Sequence, residues 1–411
     1  MTILFICLFF GILIFFEICM TLIVNYFRDS FQWLITTKDE HPYLDNKALN
    51  KFFTHGYDSN LGWIRKPNTY GVEKSGLNQT TYNIDFMGSR TNPDATTLKA
   101  FIASFGDSYT FCRQVNDNET WQYYLTQTIN QAVLNFGVGN YGIDQAILRY
   151  EQTELPDSVK IIILGFVPET IARIQSYWKH YWEFGNTFAF KPRFLLKKNQ
   201  LSLIPNIMQK QTDFFSLIEK LPYIQSNDSF YKTKFKSLQF RFPYLLSFFR
   251  NPIRHFKILF SLSIRQTARF FKKTNQIIEN KPFSLIMHYN IKQTHQMYND
   301  KQTCDLFKAI ILRFKNEVKK RGHKAVIMVM PQLIDIKIQE KNEDIAYIKF
   351  FQEINNTIPV IDLTEIFHEY NIQNLFTDDV YGGHFSPEGN QVVANHLRNK
   401  LLYLFPEEFG E

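Results

Sequence analysis

The chain has 411 residues, of which 45% are hydrophobic, 16% aromatic and 21% charged, and its formal net charge is +7. This apolar content is too high for a disordered chain, and the length allows two or three ordinary domains or one domain with a large insertion. Four cysteines are too few for a disulfide scaffold. Among them, Cys112 and Cys304 have no metal-ligand spacing, which excludes a zinc site of the CxxC type.

The N-terminus carries a nearly unbroken apolar run from Ile3 to Val24, and about 20 such residues span a bilayer as a helix. Glu17 interrupts the run at a cost of about 2.5 to 3.5 kcal/mol, which the surrounding Phe, Ile and Leu residues offset. A cleaved signal peptide is the alternative, but the run is long for one and no small-x-small cleavage site follows it. We therefore predict a single-pass membrane anchor over residues 1–27. The few charges that follow it leave open which side of the membrane holds the body.

After a lead-in segment at residues 28–95, apolar strands alternate with helical patterns. The predicted strands are Ala100–Phe105, Ala132–Phe136, Val159–Phe166, Lys324–Met330 and Pro359–Leu363. The predicted helices are Glu119–Gln131, Ile143–Thr153, Cys304–Lys320, Ile345–Ile354 and Pro387–Leu402. This alternation predicts an α/β domain, over residues 96–187 and 286–405, with a parallel sheet covered by helices on both faces.

The predicted insertion at residues 188–285 is strongly basic. Between Phe188 and Lys273 there are 17 Lys and Arg residues against three acidic ones. Within it, Pro252 to Lys273 shows apolar residues at helical spacing with cations between them, a pattern typical of helices that bind a membrane surface. A helix packed on the core with solvated cations is the equal alternative. No nucleic-acid motif accompanies the charge, so we expect no nucleic-acid partner.

Chemically informative residues follow the strands. Gly106-Asp107-Ser108 follows the first strand, Asn135-Phe136-Gly137 closes the second, and His384 precedes Pro387-Glu388-Gly389-Asn390 at the start of the last helix. Active sites of such sheets lie at the carboxyl ends of the strands. A Ser and a His placed there suit nucleophilic acyl chemistry, in which the imidazole removes the hydroxyl proton and a carboxylate orients the ring.

In this order and context, the motifs resemble those of the SGNH, or GDSL-type, hydrolases. The lead-in residues Leu61-Gly62-Trp63 and Gly88-Ser89-Arg90 resemble those of membrane-anchored bacterial members. The resemblance covers residues 60–185 and 300–403 and implies a flavodoxin-like α/β/α fold. It also implies a serine ester hydrolase or acyl-transfer enzyme without a metal or organic cofactor. The substrate implied is an acylated carbohydrate or a lipid-linked glycan at the membrane.

The resemblance assigns roles to individual residues. Ser108 is similar to the family's nucleophile, and its backbone N–H to one oxyanion donor. His384 is similar to the general base. A second backbone donor would come from Gly139 or Asn140, where the family usually has Gly at about the Asn140 position.

Two family positions differ in this chain. Thr170 aligns best with an Asn whose side chain donates to the oxyanion, and the loss of such a donor costs about 10² to 10³ in rate. The family's acid lies three residues before the His, where this chain has Tyr381. Asp379 is the predicted acid, Asp378 is the alternative, and the third possibility is that no acid functions. The permissive Gly382-Gly383 pair would let either carboxylate approach the ring.

Two other interpretations follow from the same residues. Because the oxyanion Asn and the acid are altered, the chain is alternatively a catalytically degenerate SGNH-like protein that binds or scaffolds an envelope component. Gly137 to Gly142 also reads G-x-G-x-x-G, as in dinucleotide-binding folds. That reading leaves Ser108 and His384 without roles. The sequence does not indicate the oligomeric state.

Overall fold

The computed structural model describes residues 1–75, 78–340, 345–364, 366–377 and 383–410. These residues form two compact units. The helical unit comprises Met1–Leu49, Ser176–Phe190 and Gln211–Asn290. The α/β unit comprises Asn50–Gln175, Lys191–Lys210 and Ile291–Glu411. Part of the predicted insertion, residues 191–210, therefore belongs to the α/β unit.

The α/β unit is built on a five-stranded sheet in which every neighbouring pair is parallel. In chain order its strands are β1 Ala100–Phe105, β2 Ala132–Asn135, β3 Ile161–Phe166, β4 Lys324–Val329 and β5 Val360–Asp362. The spatial order is β2-β1-β3-β4-β5, the flavodoxin-like order, whose switch point lies between β1 and β3. The predicted fold class is confirmed, and each predicted strand is present within two residues of its predicted ends.

Helices cover both faces of the sheet and complete three layers. One face is covered by Ile143–Gln152, Lys301–Lys320 and Ala346–Asn355. The other is covered by Trp121–Ile129, Leu333–Gln339 and Pro387–Leu404. The central strand β3 is buried along its whole length, as its continuous apolar sequence predicts.

Capping side chains decide where several helices begin. Thr120 accepts a hydrogen bond from the Tyr123 backbone N–H, and Ser386 accepts one from that of Gly389. Asp300 caps the helix Lys301–Lys320, which therefore begins three residues before the predicted Cys304. Apolar periodicity alone could not locate that start.

Smaller elements surround the sheet. Three antiparallel hairpins are formed by Tyr57–Asp58 with Gly62–Trp63, Thr69–Ser75 with Asn78–Ile84, and Arg193–Lys197 with Gln200–Ile204. Short helical segments of this unit are Pro93–Ala95, Ser108–Phe111, Asp117–Glu119, Pro168–Gln175, Ile366–Glu369, Ile372–Leu375 and Pro406–Phe409. None of these hairpins was predicted, because their strands are short or rich in polar residues.

The helical unit begins with one long apolar helix, Thr2–Ser30, which by length and composition could cross a membrane. Its other helices include Gln211–Phe215, Leu217–Asn227, Tyr231–Phe235, Tyr244–Arg250 and Pro252–Phe270. Shorter segments are Thr37–Glu40, Lys179–Tyr181 and Lys236–Leu238. Two helices, Asn46–His55 and Gln276–Met297, run across the division between the units. The basic helix predicted over Pro252 to Lys273 is present and ends at Phe270.

A buried arginine holds the segment that follows the Gly106-Asp107-Ser108 turn. Arg90 donates through Nε to Asp117 at 2.8 Å, and its side chain is almost completely buried. The other guanidinium nitrogens donate to the carbonyl oxygens of Phe111, Cys112 and Val115 at 2.6 to 2.8 Å. Removal of the guanidinium would leave a buried carboxylate and three carbonyls without these donors.

We expect Arg90→Met to lower the free energy of unfolding by about 3 to 5 kcal/mol, because it leaves a buried charge uncompensated. The measurement is the urea midpoint of the detergent-solubilised protein. Arg313→Met is the control, since Arg313 pairs with Glu151 at the surface, with 43% of its side chain exposed, and its loss should cost at most about 1 kcal/mol. Equal losses in the two variants would contradict the proposed support by Arg90.

Candidate active site

The turn after β1 places Ser108 at the start of a short helix. The Asp107 carboxylate accepts the Tyr109 backbone N–H at 2.9 Å and caps the helix Ser108–Phe111. Gly106 is required by the packing, because a Cβ there would lie 2.1 Å from the Thr110 hydroxyl and 2.6 Å from the Gly165 carbonyl oxygen of β3. The turn is thus pressed against the neighbouring strand at the switch point of the sheet.

The turn after β2 lies beside this helix. The Val138 backbone N–H donates to the Gly106 carbonyl at 3.0 Å, and a Cβ on Gly137 would lie 2.2 Å from the Phe111 backbone nitrogen. The Trp63 indole N–H donates to the Gly139 carbonyl at 3.0 Å and fixes the tip of the turn. Asn140 is exposed and has a positive φ of 71°.

Three backbone N–H groups at this edge have no internal acceptor. Within the described part of the chain, the N–H groups of Ser108, Gly139 and Asn140 donate no hydrogen bond. These are the groups predicted as oxyanion donors. An N–H that is free in the resting protein can donate to a developing oxyanion without first breaking another bond.

His384 reaches the same edge of the sheet from the far end of the chain. Its ring centroid lies 4.9 Å from that of Tyr109, the residue after Ser108. The Tyr109 hydroxyl donates to the Gly383 carbonyl at 2.6 Å. No hydrogen bond joins the Ser108 hydroxyl to the His384 ring, both of which are described. Catalytic hydrogen bonds of this kind often tighten only when substrate is bound.

The orientation of the His384 ring depends on Gln114, which the sequence analysis did not identify. The Gln114 side-chain oxygen accepts the His384 backbone N–H at 3.1 Å and lies 2.7 Å from ring nitrogen Nδ1. A backbone N–H can only donate, so this Gln114 atom is an acceptor and Nδ1 carries the proton. Nε2 then carries no proton and keeps its lone pair. This is the tautomer that a general base requires.

Gln114 is itself held by a network. The Thr377 hydroxyl donates to the same Gln114 oxygen at 2.8 Å. The Glu73 carboxylate accepts the Gln114 backbone N–H at 3.3 Å and Arg113 Nε at 3.0 Å. These bonds maintain the positive φ of 69° at Gln114, which is uncommon for a residue with a side chain.

Burial and charge keep the His384 ring neutral. Desolvation is the largest cause, and the guanidinium groups of Arg113 and Arg173 add to it, lowering the pKa of His384 to about 3. The ring therefore stays unprotonated far below the ordinary histidine pKa of about 6.5. Arg173 also donates to the Tyr141 carbonyl at 2.8 Å and lies 3.8 Å from Glu169.

One predicted site residue, Thr170, does not donate toward the edge where Ser108 and His384 lie. Thr170 is buried, and its hydroxyl donates to the Val167 carbonyl at 2.8 Å, so its proton is used within its own helical turn. Asp379, the predicted acid, and its alternative Asp378 lie outside the described residues. Within the described part of the chain, the partner of Nδ1 is the neutral amide of Gln114.

The glycines of the G-x-G-x-x-G sequence pack against this chain itself. Gly137 adjoins Phe111, and a Cβ on Gly142 would lie 2.4 Å from the Asp144 carboxylate and 2.9 Å from the Cβ of Arg173. Asp144 forms a buried ion pair with Lys191 near the start of the following helix. The space next to Gly142 is therefore occupied by the chain's own carboxylate.

Structural comparison finds a similarity to a protein from Desulfitobacterium hafniense DCB-2 assigned to a lipolytic G-D-S-L family. The two chains are 10% identical with a TM-score of 0.33, over 73% of this chain and 99% of the other. This chain is similar to a G-D-S-L protein. No family model matches the sequence, and no curated protein matches it.

We expect two substitutions of Gln114 to distinguish its effect on the orientation of the His384 ring from the effect of a charge beside that ring. Gln114→Leu removes the acceptor of Nδ1–H, so the rate at which a fluorophosphonate labels Ser108 should fall about 10²-fold. Gln114→Glu keeps an acceptor and adds a negative charge, which raises the pKa of His384. Only the neutral ring accepts a proton, so the labelling rate falls as the pH drops and His384 becomes protonated. In the wild type this fall should occur below pH 6.5. In Gln114→Glu it should occur at higher pH.

Gln127→Leu is the matched control, since Gln127 is an exposed glutamine that bonds Asp94 and Tyr123 in the same unit. Its labelling rate should match that of the wild type at every pH. An unchanged rate in Gln114→Leu, or a fall in rate that stays at the same pH in Gln114→Glu, would contradict the role given to Gln114.

Proposed function

We propose that this chain is a serine ester hydrolase or acyl-transfer enzyme of the SGNH type. One observation carries the proposal: among the described residues, backbone N–H groups without an acceptor and an imidazole whose Nε2 carries no proton lie at the same sheet edge as the Ser108 hydroxyl. The fold class and the order of the motifs along the chain support it. Nucleophilic acyl chemistry needs these three components and no others at its centre.

In the proposed reaction, the Ser108 oxygen attacks the ester carbonyl while His384 Nε2 takes the hydroxyl proton. The carbonyl oxygen becomes an oxyanion that accepts hydrogen bonds from the backbone N–H groups of Ser108 and of Gly139 or Asn140. The alcohol leaves with the proton from Nε2, and Ser108 retains the acyl group. Water or an acceptor hydroxyl then attacks the acyl-enzyme and loses its proton to His384, which passes that proton to the departing Ser108 oxygen and so restores the free enzyme.

The proposed substrate is an acylated carbohydrate or a lipid-linked glycan. The family resemblance of the motifs supports this class. The long apolar helix Thr2–Ser30, if it is retained as an anchor, would hold the enzyme where lipid-linked substrates occur.

A catalytically degenerate binding or scaffold protein is the second candidate function. The arrangement around Thr170 favours it, because that hydroxyl donates to Val167 and the family's oxyanion Asn is absent. The missing hydrogen bond between Ser108 and His384 favours it as well. Both candidates share the fold and differ only in whether the Ser108 hydroxyl reacts.

Labelling with a serine-directed fluorophosphonate separates the two functions. We expect the full-length protein to be labelled and Ser108→Ala to lose labelling by about 10³-fold or more. Ser226→Ala, at an exposed serine of the helical unit, is the control and should label like the wild type. Labelling that is absent from the wild type, or that persists in Ser108→Ala, would refute the enzyme and favour the scaffold.

A further inference from the structure

The charged residue inside the apolar N-terminal helix has a specific partner. The Glu17 carboxylate accepts the backbone N–H groups of Tyr244 and Leu245, the latter at 2.8 Å. These are the first two residues of the helix Tyr244–Arg250, whose first N–H groups have no acceptor within the helix. Glu17 therefore caps this second helix from a distance of 227 positions along the chain.

The N-terminal helix Thr2–Ser30 and the basic helix Pro252–Phe270 also share an apolar core. Val24 and Phe27 of the first helix pack with Ile258 and Leu262 of the helix Pro252–Phe270. Arg265 donates to the Ser30 carbonyl at 3.0 Å and fixes the far end of that packing. The helix Thr2–Ser30 is thus an integral part of the helical unit, in contrast to a signal peptide that cleavage would remove.

The opposite side of the basic helix Pro252–Phe270 is apolar and exposed. Ile253, Phe256, Phe260 and Ile264 recur along one face of its helix, and Phe256 is 60% exposed. Phe249, on the capped helix, is 62% exposed. A contiguous exposed apolar surface of this kind marks a site of interaction with a protein or a membrane.

Two observations identify that partner as lipid. The first is charge: between Asp228 and Glu279 the sequence has eleven Lys and Arg residues and no acidic one, which suits anionic headgroups. The second is continuity with the N-terminal helix. That helix is about 43 Å long, whereas a bilayer core is about 30 Å thick and takes about 20 residues. With the first 20 residues in the membrane, Glu17 lies about 6 Å inside the boundary.

We propose that the helices Tyr244–Arg250 and Pro252–Phe270 form an interfacial foot, which lies in one leaflet beside the anchor with Phe249 and Phe256 among the acyl chains. Amphipathic helices bury their apolar face about 5 to 10 Å into this region, which matches the depth of Glu17. Glu17 then sets the depth of the foot, and its charge is balanced by backbone donors in place of water. The cost of this carboxylate in an apolar helix is offset by the docking that it provides.

The test uses full-length protein in vesicles of phosphatidylcholine and phosphatidylglycerol, with the four native cysteines replaced by serine. A bimane fluorophore is attached at Phe256→Cys, and acyl chains of the lipid are brominated as quenchers. We expect bromination to lower the fluorescence about twofold or more at position 256. Tyr403→Cys is the control, because Tyr403 is 82% exposed on the α/β unit and should show no quenching.

The contribution of Glu17 is measured with the same probe. Glu17→Leu should abolish most of the quenching at position 256, whereas Glu17→Gln, which keeps an oxygen acceptor, and Phe16→Leu, at an exposed neighbour, should retain it. Equal fluorescence with brominated and ordinary lipid at position 256 would overturn the foot. Quenching that survives Glu17→Leu would overturn the role of Glu17. Neither outcome depends on the reactivity of Ser108.

Discussion

The side-chain oxygen of Gln114 is the contact on which the candidate site depends. It accepts both the backbone N–H and the ring N–H of His384, so it positions the loop and selects the tautomer together. Gln114 lies three residues after the end of the helix Ser108–Phe111, and Glu73 holds its backbone in a left-handed conformation. The Ser108 turn and the His384 ring are thereby tied to one short segment, although 270 positions separate Gln114 from His384.

A neutral partner for Nδ1 changes the electrostatics of the site. A carboxylate would stabilise the imidazolium that forms when Ser108 loses its proton, whereas an amide only orients the ring. Burial and the nearby Arg113 and Arg173 further disfavour the charged ring and lower the pKa of His384 to about 3. Such a base remains neutral in acid but is weak. In the proposed reaction, the backbone N–H groups of Ser108, Gly139 and Asn140 would then supply a larger share of the transition-state stabilisation.

The sequence predicts the sheet well and the supporting contacts poorly, for physical reasons. A buried parallel strand such as Ile161–Phe166 is apolar throughout, and active sites lie at the ends of such strands, so the turn at Ser108 could be located from pattern. The catalytic roles of Ser108 and His384 come from the family resemblance and stay predictions. Gln114 shows no such pattern, because its role comes from one backbone angle and a distant partner. Glu17 was recognised as costly, but the helix end that it caps has no sequence signature. Whether Asp379 acts as the acid stays a prediction.

The central claim is that one sheet edge assembles nucleophile, base and oxyanion donors. A crystal structure of the Ser108 phosphonate adduct tests it most directly, since the phosphonyl oxygen stands for the oxyanion of the tetrahedral intermediate. The account predicts that this oxygen lies about 2.7 to 3.1 Å from the backbone nitrogens of Ser108 and of Gly139 or Asn140. It also predicts His384 Nε2 within about 3.2 Å of the Ser108 oxygen. A phosphonyl oxygen that points away from these nitrogens, or an imidazole that remains apart from the adduct, would contradict it.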